Sequence, residues 1–476
     1  MSRKNLNIIL IALAMLPAFA FAKDGYEITV KINGYKNQKI LLGNYYGDKQ
    51  YVKDSAVTDA SGKVVFKGKD KLPGGIYLIA TFDKRLLFDF VVTEQIFSLE
   101  TDTIDYQAHM KVKDSPENEL FFAYSKFTTK MAVEATEIEK KMKTARITKD
   151  TASERKYKEE LMSYDQRVQD YRKDVIKKQP TFLMSKLFKI MEDVYVPPAP
   201  TLPNGKKDSM FQYYYYRDHY FDNFDFTDDR IVYTPVFHPK IESYITKLTL
   251  QIPDSINKAA DFIVAKSLPS REISKYVIYW ITNHYETSEY MGMDAVFVHM
   301  ALTYYSDKKL TYWLDDALRF KIIDRAQTLD YNILGKKGQN LTMPDTSGNY
   351  QSLYNIKADY TVLLFWDANC GRCKEEIPKI LDLYKEQNSK VNLSGTKKME
   401  VFGVGMTPEP KDWKKYIREH KLPWINVDDP NHESNFRKFY DVYSTPVIYL
   451  LDENKKIVAK RLSVDQLKDF IEKGVK

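Results

Sequence analysis

The pattern of apolar and polar positions changes character twice along the chain. From Tyr26 to about Asp105, apolar residues alternate with polar ones in short runs such as YEITVKINGY, and turn signals such as DASG at 59–62 separate the runs. Alternation of this kind is typical of strands with one buried face. The pattern therefore predicts a small all-β domain over residues 23–112, folded as a sandwich or an open barrel.

A helical pattern begins after Asp114. Ser115 is suited to cap a helix and Pro116 to occupy its first turn, while Pro180 is expected to end the helical stretch. Intervals of four and three separate the apolar residues of this stretch, which predicts a helix packed along a neighbour; these residues are Tyr157, Leu161, Tyr164, Val168, Tyr171 and Val175. Since helical patterns continue further along the chain, we predict an α-helical domain over residues 113–325.

The last 150 residues alternate strand and helix patterns. The run YTVLLFW is continuously apolar and suits a buried strand, and KEEIPKILDLYKE, which follows it closely, has a helical pattern. A second strand, a second helix, further strands and a closing helix from Ser463 complete the series. This order predicts an α/β domain with helices on both faces of one sheet, over residues 326–476.

An aromatic run, MFQYYYYRDHYFDNFDF, starts at Met210 inside the predicted helical domain. Packing between helices accounts for such a density of rings, with a few tyrosine hydroxyls at the rim. A platform that binds carbohydrate or peptide is the alternative interpretation.

The N-terminus has the features of a secretory signal peptide. A basic start with Arg3 and Lys4 is followed by a short apolar run and by Ala20 and Ala22, which have the spacing that signal peptidase accepts. We therefore predict a signal peptide over residues 1–22, cleaved after about Ala22, and a periplasmic location. The alternative is an uncleaved anchor.

Membrane insertion and nucleic-acid binding are not expected from the composition. No later stretch approaches the ~20 apolar residues that a spanning helix needs, and no cysteine stands at the cleavage point to carry a lipid. The sequence has 72 basic and 65 acidic residues, a formal charge of +7, and loss of the basic residues of the signal peptide lowers that excess by two. A small and dispersed excess of this kind does not indicate a nucleic-acid partner.

The chain has only two cysteines, Cys370 and Cys373, in the sequence FWDANCGRCKEEIP. A disulfide across such a short loop removes little entropy from the unfolded chain, so stability is a poor reason for the pair. If a helix begins near Cys370, its unpaired amides and dipole stabilise a thiolate there, and Arg372 adds positive charge. We predict that Cys370 is the nucleophile and that Cys373, one helical turn later, is the resolving thiol.

Three other interpretations of the pair are weaker. A zinc site needs two further ligands, but there is no third cysteine and the seven histidines are scattered. An inert structural disulfide is possible in an exported protein. A peroxiredoxin would need a proline and a threonine or serine ahead of its reactive cysteine, and LLFWDAN supplies neither. We therefore expect no metal and no cofactor other than a redox-active Cys370–Cys373 disulfide.

The segment FWDANCGRCKEEIP together with YSTPVIYLLD resembles the active site of the exported TlpA/ResA-type thiol-disulfide oxidoreductases of the thioredoxin superfamily. The resemblance implies that Glu376 is an acid that moves protons near the pair and that Trp366 and Arg372 lie at the substrate site. It also implies that Pro446 is a cis-proline and that the backbone of Thr445 pairs with a substrate strand.

The resemblance covers residues 330–476, beginning with a hairpin before the core, and it has departures. Asn369 stands where many relatives have Trp or another large residue, and Arg372 stands where Pro or His is frequent. Because of both departures, the resemblance does not extend to the redox potential of the pair or to its substrate preference. The helical region resembles an uncharacterised domain that precedes such thioredoxin-like domains. The β-region resembles a small domain that occurs in the same proteins.

These observations predict a periplasmic thiol-disulfide oxidoreductase that exchanges disulfides with protein substrates, with reduction favoured by the resemblance. Such an enzyme needs a separate membrane-bound electron donor. A second hypothesis is a binding or assembly protein in which the thioredoxin-like domain is a docking module. In a third, the helical domain encloses the cysteine pair and selects one client.

Overall fold

The computed structural model describes residues 25–389 and 397–474. The predicted signal peptide at residues 1–22 lies outside this described part of the chain. By compactness the chain forms two units. One holds Met1–Tyr195, Phe221–Asp225 and Arg230–His238, and the other holds the remaining residues up to Lys476. The predicted domain boundaries at 112/113 and 325/326 stay predictions.

The first unit begins with the predicted β-region. Its strands are β1 (Tyr26–Asn33), β2 (Lys39–Tyr46), β3 (Lys49–Val57), β4 (Lys63–Gly68), β5 (Gly75–Thr81), β6 (Leu86–Val92), β7 (Ile96–Asp102) and β8 (Lys111–Lys113). They form two four-stranded sheets, in the orders β4-β1-β7-β8 and β3-β2-β5-β6. Buried residues from both sheets, such as Val30 and Phe90, share one core, so the region is a sandwich.

Three helices follow the sandwich: α1 (Pro116–Ile147), α2 (Thr151–Lys178) and α3 (Leu183–Ile190). The predicted start is confirmed, because the side chain of Ser115 accepts a hydrogen bond from the amide of Asn118. Helices α1 and α2 pack as an antiparallel hairpin, in which the ring of Tyr171 stacks on that of Phe127 with centroids 4.8 Å apart. The apolar stripe predicted along α2 therefore faces α1.

The chain after residue 196 begins with further helices and short turns. These helices are α4 (Phe211–Asp218), α5 (Phe237–Thr246), α6 (Pro253–Ser267), α7 (Arg271–Glu286), α8 (Asp294–Met300) and α9 (Asp316–Asp330). The first part of the aromatic run forms α4. The Tyr213 hydroxyl donates to the carbonyl oxygen of Leu248 at 2.7 Å, and the rings of Tyr215 and His219 stack. No residue of α4 is buried, whereas the later aromatic residues of the run are buried: Tyr220, Phe221, Phe224 and Phe226.

The C-terminal α/β domain has the predicted layers. Its strands are β9 (Thr342–Pro344), β10 (Tyr350–Ser352), β11 (Ala358–Trp366), β12 (Lys397–Gly405), β13 (Ile425–Asp428), β14 (Val447–Leu451) and β15 (Ile457–Lys460). Its helices are α10 (Gly371–Ser389), α11 (Pro410–His420), α12 (Phe436–Phe439) and α13 (Val464–Lys473). The hairpin β9–β10 precedes a five-stranded sheet of order β13-β12-β11-β14-β15.

The sheet is mixed, and its register brings three chain segments to one edge. Strands β12 and β13 run parallel to β11, whereas β14 is antiparallel to β11 and β15 to β14. Phe365 lies opposite Val447, so the end of β11 and the start of β14 meet at the same edge. Gly405 at the end of β12 lies opposite Trp366, so β12 ends at that edge too. Separate apolar cores lie on the two faces of the sheet.

Candidate active site

The two cysteines lie where strand β11 passes into helix α10. The strand ends at the buried Trp366, and the amide of Cys370 donates to the carbonyl oxygen of Asp367 at 3.2 Å. The carbonyl oxygen of Cys370 accepts from the amide of Lys374, also at 3.2 Å. Cys370 therefore occupies the capping position of α10, where the free amides of the first turn point toward its side chain.

The two sulfur atoms differ in access. Cys373 is completely buried, whereas Cys370 is partly exposed, and both are free thiols in this structure. The amide of Asp367 points at the sulfur of Cys373 from 3.5 Å, and the thiol of Cys370 lies 3.5 Å from the carbonyl oxygen of Thr445, its acceptor. A large partner can therefore reach only Cys370.

The surroundings favour ionisation of Cys370. Partial burial raises the pKa of its thiol, but the backbone amide of Cys373 lowers it, as do the Thr445 and Cys373 side chains and the backbone amide of Arg372. Together these hydrogen bonds leave the pKa of Cys370 below the ordinary value. Arg372 is exposed, and its backbone amide is among the groups that lower the pKa of Cys370.

The environment of Cys373 has the opposite effect. The pKa of its thiol is raised to about 11, with burial as the largest cause and the neighbouring Cys370 as a further one. The amide of Asp367 offsets part of this rise. The pair therefore consists of one thiol that ionises easily and one that is held protonated.

The structure places Trp366 beneath the pair. Its side chain has no exposed surface, and its ring lies 5.4 Å from that of Tyr416 in the core between α10, α11 and the sheet. Contact with a substrate, which the sequence analysis expected of Trp366, is not available in this conformation. The ring instead supports the strand end from which the cysteines project.

The remaining predicted site residues lie around the pair at different depths. The Thr445–Pro446 peptide bond is cis, as predicted, and both residues are partly exposed beside Cys370. Glu376 lies in the first turns of α10 with a side chain 18% exposed, and it forms an ion pair with Lys379 at 3.0 Å.

The sequence analysis missed Thr407, which follows β12. Its hydroxyl accepts a hydrogen bond from the amide of Ala368 at 2.9 Å and so fixes the turn just before Cys370. The amide of Met406 also donates to the carbonyl oxygen of Trp366 at 2.8 Å. The sequence offered a signal for Thr407. Strands β11 and β12 are parallel neighbours, so the residues that follow their carboxyl ends lie at the same end of the sheet, where functional sites form.

Among residues 25–389 and 397–474, no helix has both the length and the apolar character to cross a membrane. Within these ranges no three His, Cys, Asp or Glu side chains converge in a way that could hold a metal ion.

Three family models match the chain in succession. A domain of unknown function, DUF4369, matches residues 26–121, and another, DUF5106, matches residues 130–332. The AhpC/TSA family matches residues 334–460, which include the cysteine pair.

Curated relatives align with the C-terminal domain. The thiol-disulfide oxidoreductase ResA of Bacillus thuringiensis is 23% identical over 143 residues, which are 30% of this chain and 77% of the relative. The sporulation thiol-disulfide oxidoreductase A of Bacillus subtilis is 27% identical over 119 residues, 24% of this chain and 68% of the relative.

Solved structures align with the same region. A domain of a possible thiol-disulfide isomerase from Cytophaga hutchinsonii is 40% identical and covers 30% of this chain and 92% of its own, with a TM-score of 0.27. The thioredoxin domain of a thiol-disulfide oxidoreductase from Bacteroides vulgatus is 32% identical over 30% of this chain and 98% of its own, with a TM-score of 0.27. The C-terminal domain is therefore a thioredoxin-like domain of the AhpC/TSA family, homologous to the ResA/TlpA thiol-disulfide oxidoreductases.

Proposed function

We propose that the protein is an exported oxidoreductase that reduces disulfides of protein clients through Cys370 and Cys373. The observation that carries this proposal is the asymmetry of the pair. One sulfur is accessible with a lowered pKa, and the other is buried with a pKa of about 11. A nucleophile must meet the client as a thiolate, whereas a resolving thiol must wait until the first bond has formed.

The first step uses the exposed sulfur. The thiolate of Cys370 attacks one sulfur of the client disulfide, a Cys370–client disulfide forms, and the client's other sulfur leaves as a thiolate that takes up a proton. The amides at the start of α10 stabilise the attacking anion before it reacts. Thr445, next to Cys370, is proposed to pair its backbone with the client strand, with Pro446 and the exposed Arg372 at the same surface.

The second step releases the client. Once Cys370 is bonded to the client its sulfur carries no charge, so its contribution to the raised pKa of Cys373 disappears. Cys373 then loses its proton and attacks Cys370, which releases the second client thiol and leaves the Cys370–Cys373 disulfide. Glu376, one turn further along α10, is proposed to accept that proton. Two electrons have passed from the protein to the client.

The cycle needs a source of electrons. Because the pair itself is the redox centre, we propose that no bound cofactor takes part and that a separate membrane-bound dithiol donor reduces the Cys370–Cys373 disulfide. The periplasmic location rests on the signal-peptide pattern with Arg3, Lys4 and cleavage after about Ala22.

Trapping with Cys373→Ser tests the proposal. Without the resolving thiol, clients should stay bound to Cys370 as mixed disulfides that reducing agent releases, and mass spectrometry of the released proteins identifies them. The double variant Cys370→Ser/Cys373→Ser is the matched control and should capture none. If Cys373→Ser carries no more disulfide-linked protein than the double variant, the enzymatic proposal is wrong and the docking-module hypothesis gains support.

The direction of transfer needs a separate measurement. Thiols of the exported protein can be alkylated in acid-quenched cells and the redox state of the pair determined by mass shift. A pair that is mainly dithiol at steady state agrees with client reduction. A pair that is mainly disulfide would mean that the protein oxidises its clients.

A further inference from the structure

The loop that carries Thr445 has few contacts of its own. From Tyr443 to Pro446, no backbone amide forms a hydrogen bond to another backbone group within the described residues. Tyr443 is 73% exposed, and Pro446 has no amide hydrogen to donate. The position of this short loop is therefore set by the segments at its two ends.

The downstream end is held by the sheet. Val447 begins β14 and pairs with Phe365 of β11, one residue before the end of that strand. This anchor belongs to the α/β domain itself.

The upstream end is held by side chains. The hydroxyl of Tyr449 donates to the carbonyl oxygen of Tyr440 at 2.5 Å, and the amide of Val442 donates to the carbonyl oxygen of Arg437 at 3.2 Å. Asp441 lies between them with a positive φ of 50°, a conformation that aspartate tolerates better than most residues. The orientation of Asp441 therefore decides how the chain enters the loop.

Two guanidinium groups hold the carboxylate of Asp441. Arg325 forms a fork on it, with Nη1 donating to Oδ1 and Nη2 donating to Oδ2 at 3.1 Å, and Arg461 donates to Oδ2 from the other side. The Asp441 side chain is only 1% exposed. A buried carboxylate is stable only while it is paired, and a two-bond fork fixes its orientation as well as its charge.

The two arginines come from different parts of the chain. Arg461 directly follows β15, whereas Arg325 lies on α9, within the region that matches DUF5106 and outside the AhpC/TSA match. Asp441 is four residues from Thr445, a distance of at most about 14 Å along the chain, so a shift at Asp441 reaches Thr445 within one short loop.

We propose that Arg325 is a positioning residue of the thiol-disulfide exchange site, by which the helical region sets where Thr445 presents its backbone to the client. This inference rests on the proposed function. Under this proposal, the helical region affects client binding through the contact of Arg325 with Asp441, without touching the client. Loss of the fork should displace the client strand and leave the two sulfur atoms in place.

The test compares two arginines of the same helix. Arg325→Met removes the fork on Asp441. Arg319→Met is the control from the same helix. Arg319 is buried, whereas the side chain of Arg325 is 39% exposed, and Arg319 donates to Thr311 and Asp316, away from the loop. Steady-state reduction of a disulfide-bonded peptide is measured for each, with dithiothreitol as the electron donor that regenerates the Cys370–Cys373 dithiol, and rates are expressed per titrated Cys370 thiol.

The expected result is a change in KM and not in kcat. Arg325→Met should raise KM about tenfold, since a small misplacement of a positioning group costs one to two orders of magnitude. Arg319→Met should leave KM unchanged even where it lowers thermal stability. Arg325→Lys keeps the positive charge but not the two-bond fork, so its KM should lie between those of wild type and Arg325→Met.

The outcomes separate this inference from the proposed function. A wild-type protein that reduces no disulfide would overturn the proposed function. An active wild type with equal KM values for Arg325→Met and Arg319→Met would overturn the positioning role alone. Should Arg325→Met fail to fold, Asp441→Asn removes the same charged contact at nearly constant size and is held to the same tenfold rise in KM.

Discussion

Two helices of the molecule begin beside a sheet with polar side chains at their first turn, and the two sites differ in how well those side chains are paired. At the start of α1, Asn118 is fully buried; its oxygen accepts from the amide of Val91 at 2.8 Å, and its nitrogen donates to the Val91 carbonyl at 2.7 Å. At the start of α10, the contacts are to sulfur, and the sulfur of Cys370 is partly exposed with the carbonyl oxygen of Thr445 3.5 Å away.

The buried acid next to Asn118 is paired as well. Glu117 accepts from the amide of Met184 at 3.0 Å and from the hydroxyl of Thr93 at 2.8 Å. Burial is the largest cause that shifts the pKa of Glu117, and it raises it. Both sites have a strand followed by a helix with polar residues at its start. At α1 these residues form a fixed structural contact, whereas at α10 one of them is an accessible nucleophile. What separates them is whether strong partners saturate the polar atoms.

The largest expected effect follows from removal of the available nucleophile. Cys370→Ser should lower the rate of insulin reduction more than ~100-fold, because a serine hydroxyl does not ionise near neutral pH. Its circular dichroism spectrum should match that of wild type, since Cys370 is only partly buried. Equal rates of insulin reduction for wild type and Cys370→Ser would show that the cysteine pair at α10 is as unreactive as the polar residues at the start of α1.

Asn118→Ala tests the other side of the comparison. Loss of two buried hydrogen bonds to Val91 should cost about 3 kcal/mol, because the amide and the carbonyl are left unpaired. Hydrogen exchange of the peptide that contains Val91 should then be about 100-fold faster. The insulin reduction rate should not change. Unaltered protection at Val91 would contradict the structural role given to Asn118.

The smallest effect concerns Arg372. Alkylation of reduced wild-type protein by iodoacetamide should rise with pH through a midpoint below the ~8.5 of a free cysteine, because the thiolate is the reactive form and the fold lowers the pKa of Cys370. Arg372→Gln keeps the backbone amide, so the rate at pH 7 should change by less than about threefold. A tenfold drop would restore the role in which the guanidinium charge activates the thiol.

Much of the fold followed from local pattern. Alternation predicted the sandwich strands, the Ser115–Pro116 pair predicted the start of α1, and the continuous apolar run ending at Trp366 predicted the central strand of the α/β sheet. These features depend on residues close together in the chain, where periodicity and capping preferences act directly.

The features that escaped prediction depend on residues far apart in the chain. The hydroxyl of Thr407 reaches the turn before Cys370, and Arg325 meets Asp441 across more than a hundred residues. The full burial of Trp366 follows from its packing between α10, α11 and one face of the sheet, which no local run reveals. A single sequence gives the residue types of such contacts but not their pairing.

The hairpin of α1 and α2 sets a length scale for the first unit. At 1.5 Å per residue, the 32 residues of α1 span about 48 Å between Pro116 and the turn near Thr148. A macromolecule bound at this turn is separated by that length from the start of α1. Removal of seven residues from each helix would shorten the hairpin by about 10 Å without changing the sequence at either end. The length of the hairpin can therefore change in evolution independently of the residues at its two ends.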